Sequence, residues 1–255
     1  MKISAVIITF NEEKNIGAAI ESVAWADEIL VVDSESTDAT REIAAKAGAK
    51  VLVRSWPGFS AQKQFAVDQA LNDWIFSLDA DELVSPELQV EILEIKTASE
   101  TADGYRIPRL SFYMDRAIRH GGWYPDWQLR LFDRRKGKWK DVPVHESVEM
   151  NAGSEIAKLN GDIVHYSVEN AAHHNRMIGE RYAPLAARQM FEKGRRTSPI
   201  AIVFTGWVAF VQTYFIKLGF LDGFPGFCIA YFAAHHSFMK HLMLWELQKA
   251  ESDPK

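Results

Sequence analysis

"ISAVIITFNEEKNIGAAIESVAWADEILVVDSESTD", Ile3 to Asp38, decides the fold. It opens on a β-branched apolar run, Ile3 to Thr9, without polar alternation, which predicts a strand buried on both faces. Asn11 then reads as a helix N-cap, followed by early acids and by Ile16, Ile20 and Val23 at helical spacing. "EILVVD" is a second buried strand. The pattern continues outward. "STDATREIAAKAG" predicts a helix stopped at Gly48, "AKVLVRS" a third strand, "FSAQKQFAVDQAL" a helix and "DWIFSLD" a fourth strand. Regular strand–helix alternation means βαβ units, hence an α/β domain with a mostly parallel sheet and helices on both faces. Ligands of such sheets bind at the carboxyl ends of the strands.

Three loops converge there. Thr9-Phe10-Asn11-Glu12-Glu13 follows the first strand, Asp33-Ser34-Glu35-Ser36-Thr37-Asp38 the second and Asp79-Ala80-Asp81-Glu82 the fourth. Asn11 and Thr37 also read as helix caps, and Asp33 as a turn residue. Close carboxylates repel one another, so the last cluster needs compensation. A hard divalent cation, Mg²⁺ or Mn²⁺, is the expected compensation, held by Asp79 and Asp81 and completed by a substrate diphosphate.

The chain has 255 residues, 47% hydrophobic, enough for one core and an appendage. A net charge of −5 argues against a general nucleic-acid binder. A lone Cys228 excludes an internal disulfide and fits a reducing, cytoplasmic compartment. The N-terminus reads as a strand, not a signal peptide. The middle is basic, with Arg106, Arg109, Arg116, Arg119, Arg130, Arg134, Arg135, Lys136, Lys138 and Lys140 interleaved with Trp123, Tyr124, Trp127 and Trp139. That mixture is either a solvated face or a surface for a sugar or anionic acceptor. The sequence divides into residues 1–168, the α/β domain, and a helical extension, 169–255. In the extension, Ile200 to Ile216 carries no charge, Arg195-Arg196 precede it, and twelve of the chain's thirty aromatics lie between Phe204 and Trp245. Aromatics beside base predict a helical pair docked peripherally on a membrane. A core helix or a dimer interface is the ordinary alternative, and the oligomeric state stays open.

"AVIITFNEE", "ILVVDSESTD" and "IFSLDADE", in this order, resemble the inverting glycosyltransferases of family 2, across about the first two thirds of the chain. The resemblance implies the GT-A nucleotide-sugar fold. It places Thr9 and Glu12 at the nucleotide, with Asn11 and Ser36 of the same loops among the donor contacts. Asp33 falls on the base, Lys63 near the nucleotide, Asp79 on the ribose or metal, and Asp81 on the metal. Attack by an acceptor hydroxyl needs a general base. "YPDWQLRLFDRRKGKW" fits the family frame, giving Asp126 as the base and Gln128 and Arg130 as diphosphate contacts, although Pro125 stands where the family commonly has an acid. Glu146 in "VPVHES" is the alternative base. His145 is the implied late metal ligand, and His165 in "IVHYS" competes with it. "HGGWYPDWQLRLF", "VHE" and "GFLDGFPGF" resemble the short family-2 enzymes of bacterial lipopolysaccharide core assembly, similar to β-1,4-glucosyltransferases acting on a core heptose. That implies UDP-glucose as donor, a lipid-linked anionic saccharide as acceptor, and an enzyme at the cytoplasmic face of the inner membrane.

Three rivals remain. A polyprenyl-phosphate sugar transferase would need no base, its acceptor being ionised already. A nucleotidyltransferase would carry a Gly-rich basic loop where "ITFNEEKNIG" is acidic. A non-catalytic sugar-nucleotide-binding or scaffold module would not need Asp79, Asp81 and Asp126.

Overall fold

The computed structural model describes residues 1–141, 146–166, 168 and 170–252. The apolar runs of the first third become β1 (Ile3–Thr9), β2 (Glu28–Asp33), β3 (Lys50–Val53) and β4 (Trp74–Asp79), alternating with α1 (Ile16–Ser22), α2 (Thr40–Lys46) and α3 (Phe59–Gln69). All seven residues of β1 are buried. The strand is paired in parallel with β2 on one edge and β4 on the other. Its alternate side chains feed two cores. Ile3, Ala5 and Ile7 pack with Leu78, Leu88 and Ile92, while Val6 and Ile8 pack with Ala66, Val67 and Phe132.

The chain continues through β5 (Glu82–Val84), α4 (Pro86–Thr97), β6 (Gly104–Tyr113), β7 (Arg116–Ala117), β8 (Asp126–Asp133), β9 (Gly137–Trp139), β10 (Val148–Met150), β11 (Ile156–Lys158) and β12 (Ile163–His165). The main sheet has the order β3-β2-β1-β4-β8-β6-β12-β5. Here the sequence expectation needs correction. β8 runs antiparallel to both β4 and β6, and β12 antiparallel to β5, so the sheet is mixed and not mostly parallel. Antiparallel neighbours need no crossover helix, so this half of the sheet lacks the alternation that marks the first.

The predicted caps also move. Asn15 precedes α1 and Ala39 precedes α2, so neither Asn11 nor Thr37 is a cap. Asn11 instead adopts a left-handed backbone, φ 54°, a conformation Asn tolerates better than most residues. Its side-chain oxygen accepts the Thr37 N–H at 2.9 Å.

By compactness the chain forms two units. The first comprises Met1–Leu110 and Asp126–His165. The second comprises Ser111–Pro125 and the described residues from Tyr166 onward. The sequence division into 1–168 and 169–255 did not separate Ser111–Pro125, which leaves β6 and returns into β8. The second unit holds α5 (Ala171–Arg176), a π-helical stretch Met177–Tyr182, α6 (Ala183–Glu192), α7 (Pro199–Val211), a second π-helical stretch Gln212–Ile216, a 3₁₀ turn Gly219–Asp222 and α8 (Gly223–Ser252). Helices α7 and α8 approach closely at Gly206, where a Cβ would lie 3.1 Å from the Ala234 carbonyl oxygen. The turn between them is tied to the 111–125 segment. Asp222, buried, accepts the His120 backbone N–H at 2.8 Å and lies 2.9 Å from His120 Nδ1. Gly121 N–H donates to the Lys217 carbonyl at 2.8 Å, and Arg116 donates to the Leu221 carbonyl at 3.2 Å.

His174 is buried among Tyr113, Trp123 and Phe232 in this unit. Burial, with His173 and His235 adding to it, pulls its pKa down to about 4 from an ordinary 6.5. Below that ordinary value the unfolded chain takes up a proton the folded chain refuses, so stability falls as pH drops from 6.5 toward 4. The whole span is worth about 3 kcal/mol. His174→Phe is expected to flatten this stretch of the acid limb in urea titrations. Equal losses in both proteins would rule out His174 as the cause.

Candidate active site

The parallel strands end side by side. Thr9 is in register with Asp33, and Ile8 with Asp79. The loops after β1 and β2 are laced together. Asp33, fully buried, accepts at Oδ1 from the Ser36 backbone N–H at 2.9 Å and at Oδ2 from the Ser36 hydroxyl. Ser36 Oγ in turn accepts the Asn11 N–H at 2.9 Å, and Thr40 Oγ1 accepts the Glu12 N–H at 2.8 Å. Arg41 Nε lies 3.8 Å from Asp33. Asp33 and Ser36 therefore hold the shape of the loop that Asn11 and Glu12 line. Thr9 Oγ1 is buried and has no partner among the described residues.

At the end of β4 the carboxylates meet protein cations. Asp79 Oδ1 lies 2.9 Å from Lys63 Nζ, and its Oδ2 accepts from Lys63 at 3.1 Å and Arg130 at 2.9 Å. Burial alone would raise the Asp79 pKa. Lys63 and Arg130 outweigh it and hold the group well below the usual carboxylate range. Glu82, with no exposed surface, accepts the Asp79 N–H at 3.0 Å, Arg130 at 2.8 Å and Arg109 at 3.2 Å. Arg109 closes the chain onto Asp126, donating Nε at 2.9 Å and Nη2 at 2.6 Å to Oδ2. Gln128 donates to Asp126 Oδ1 at 2.7 Å. Burial would lower the Arg109 pKa, but Glu82 and then Asp126 raise it above its ordinary value. Lys63, Arg130 and Arg109 thus alternate with Asp79, Glu82 and Asp126.

A backbone irregularity makes this ladder. The β6–β8 register steps from Tyr105↔Leu131 to Arg106↔Leu129, which leaves Arg130 as the extra residue of a bulge. Bulges re-aim side chains beside active sites. Past it, alternation puts Asp126 and Gln128 on one face and Trp127 on the other, where its ring lies 4.4 Å from Lys158 Nζ.

Several sequence expectations change. Within Asp79-Ala80-Asp81-Glu82 the protein's own cations offset part of the repulsion: Lys63 and Arg130 pair with Asp79, and Arg109 and Arg130 with Glu82. Of the basic middle only Arg130 is buried; Arg106, Arg116, Arg119, Arg135, Lys136, Lys138 and Lys140 are exposed, and Arg134 and Arg135 pair with Asp73, Arg135 also with Asp133, and Lys136 with Asp103. Trp139 is buried beneath Lys63 and is no open sugar platform, while Trp123 is half-buried and meets Tyr113 and His174 edge-on. His145 lies outside the described residues. Glu146 is within 3.8 Å of Lys63.

No group of three His, Cys, Asp or Glu side chains suited to a metal occurs among the described residues. Asp81 faces His165 Nε2 at 3.1 Å. His165 Nδ1 is buried without a partner, so the ring's polar engagement runs through Nε2. The Asp81 carboxylate fits a hard cation such as Mg²⁺ or Mn²⁺ whose remaining ligands are diphosphate and water oxygens, with His165 bonded to the carboxylate. Sequence reasoning passed over Glu82 and Arg109 as site residues. The signal was the third carboxylate after β4, which also required a partner.

Relatives bear on this geometry. The sequence model of Glycosyl transferase family 2 matches residues 4–155. An uncharacterized glycosyltransferase of Rickettsia bellii is 36% identical, over 96% of this chain and 87% of that protein. The lipopolysaccharide core biosynthesis glycosyltransferase LpsC of Rhizobium meliloti is 29% identical, over all of this chain and 96% of its own. Among solved structures, the mannosyltransferase PcManGT of Pyrobaculum calidifontis, in complex with GDP-Man and Mn²⁺, superimposes with a TM-score of 0.50 at 14% identity, covering this chain fully and 76% of that one. Carboxylates and basic side chains gathered at the ends of a GT-A sheet therefore sit in a chain that belongs to the family-2 glycosyl transferases.

Proposed function

We propose that the protein transfers a hexose from a nucleotide-diphosphate sugar, with UDP-glucose the expected donor, to a hydroxyl of a lipopolysaccharide core sugar such as heptose. Transfer is by single displacement with inversion. The observation that carries this reading is Asp126. Its side chain, 37% exposed, is held by Arg109 and Gln128 on the strand that also presents Arg130 to Asp79. A fixed carboxylate beside cations suits removal of a proton from an acceptor hydroxyl next to an anionic donor. Thr9, Asn11, Glu12, Asp33 and Ser36 form the nucleotide end of the site. Lys63 and Arg130 offer charge to the diphosphate, with Gln128 beside them. Asp81, with Asp79 behind it and His165 alongside, would hold Mg²⁺ or Mn²⁺, which when bound neutralises charge on the departing nucleotide diphosphate. The acceptor class rests on likeness to LpsC, a full-length relative.

A donor screen tests the proposal: purified protein, several nucleotide sugars, Mn²⁺ or Mg²⁺, a heptose-containing core acceptor, and nucleotide release as readout. Release that requires both acceptor and metal is expected, and the absence of release from every nucleotide sugar tested would overturn it. In the same assay Asp81→Ala should raise the metal concentration for half-maximal rate by about 100-fold, since a charged ligand is lost. An unchanged metal curve would exclude Asp81 as a ligand.

The second unit is proposed to dock on an anionic membrane surface. Helix α7 turns Ile200, Val203, Phe204, Trp207 and Val208 to solvent, at helical spacing. Pro199–Ile216 is apolar enough to cross a bilayer by composition, yet only 11% of it is buried. The unit's sequence holds twelve Lys and Arg against eight Asp and Glu, whereas the whole chain is net negative. Its α7–α8 turn is bonded to Arg116, His120 and Gly121, and inserting that turn would carry a charged segment into hydrocarbon. Binding to anionic vesicles is expected, weakened by salt and reversed by carbonate. Retention until detergent is added would mean that α7 spans the bilayer.

A further inference from the structure

We infer that Arg109, anchored by the buried Glu82, is the positioning residue for the base, and that it leaves Asp126 Oδ1 as the proton-accepting atom. The inference rests on the proposal that Asp126 is the base. An ionised carboxylate has about four lone-pair sites. Arg109 Nε and Nη2 both donate to Oδ2, at 2.9 and 2.6 Å. Gln128 Nε2 takes one site on Oδ1, at 2.7 Å. Three of the four are used by described residues, and the fourth belongs to Oδ1. The guanidinium is planar and delocalised, so its third arm, Nη1 to Glu82 Oε1 at 3.2 Å, fixes the plane in which Asp126 can lie.

Glu82 suits the anchor role because it is itself immobilised. It has no exposed surface, and its other bonds run to the Asp79 backbone and to Arg130. The direction of the base is thereby referred to the end of β4, where Asp79 and Lys63 stand. Arg109 touches neither donor nor acceptor in this scheme. It acts through the orientation of Asp126, and displacement of a reacting group by about 1 Å can cost on the order of 10²-fold in rate.

The test is a double-mutant cycle on the full chain with Arg109→Gln, Asp126→Asn and the double variant, scored by kcat, donor KM and thermal melting. Arg109→Gln is expected to lower kcat by about 10²-fold with donor KM unchanged. The double variant should be no slower than Asp126→Asn alone, because the residue acts through the one already lost. Multiplying losses, or a raised donor KM with kcat intact, would overturn the inference. Should Asp126→Asn keep full turnover, the base proposal itself falls, a result distinct from multiplying losses. Arg109→Lys covers a folding failure of the Gln variant. Lysine keeps the charge beside Glu82 but cannot fork onto Asp126, so the kcat loss should persist. Rescue by Lys would assign Arg109 to the fold alone.

Discussion

Asp126→Asn is expected to lower turnover by about 10²–10⁴-fold while donor affinity stays in place. The substitution is nearly isosteric, and an amide oxygen can still accept a hydrogen bond from Arg109 or Gln128. What disappears is the ability to take a proton from the acceptor hydroxyl. Donor binding should survive because Lys63 and Arg130 bond to Asp79 and not to Asp126. The measurement is steady-state kinetics with donor and acceptor varied separately. Glu146→Gln is the comparison, since Glu146 is the other carboxylate near the network, 3.8 Å from Lys63. If the loss follows Glu146 instead, the base has been misassigned. If neither variant is slowed, an already ionised acceptor such as a polyprenyl phosphate becomes the better reading.

Arg130→Met should cost about 3 kcal/mol of stability, the low end for removing one partner of a buried ion pair. Arg130 is 2% exposed and stands between Asp79 and Glu82. Its loss leaves two carboxylates sharing fewer cations in a site with little water. Lys63 and Arg109 remain and limit the damage. For a chain of this size the change corresponds to roughly 10 °C in Tm. Adding Glu82→Gln should recover part of the loss by removing the stranded charge. A single variant that melts within a degree or two of the parent would show that Arg130 is not compensating buried charge.

Which parts of this could be read in advance follows from the range of the forces involved. β1, β2 and β4 announce themselves because strands buried on both faces must be continuously apolar, a local property. The loops after them are equally visible, since Asn11, Asp33 and Asp79 follow each run directly. Asn11 was misread as a cap because the residue types that cap helices also tolerate left-handed backbone. The cation ladder could not be read. It depends on the β6–β8 register and on the bulge at Arg130, and register is set by tertiary pairing. Arg109 lies 27 residues from Glu82 and 17 from Asp126, and no short pattern joins them. The second unit divides in the same way. The apolar character of α7 is plain in the sequence, whereas the exposure of Phe204 and Trp207 is a fact of packing.

The excursion of Ser111–Pro125 bears on how the protein can be taken apart. Arg109 lies just before that segment and Asp126 just after it, so the chain between these two hydrogen-bonded strands runs through the second unit. A stop codon after His165 would not release a free-standing catalytic half. It would strand Tyr113, Ile118 and Trp123 without Ile229, Cys228 and Phe232, the side chains they pack against. A soluble minimal enzyme is better sought by grafting a short β-turn between Leu110 and Asp126 at the same time as the truncation, so that no apolar hairpin is left facing water.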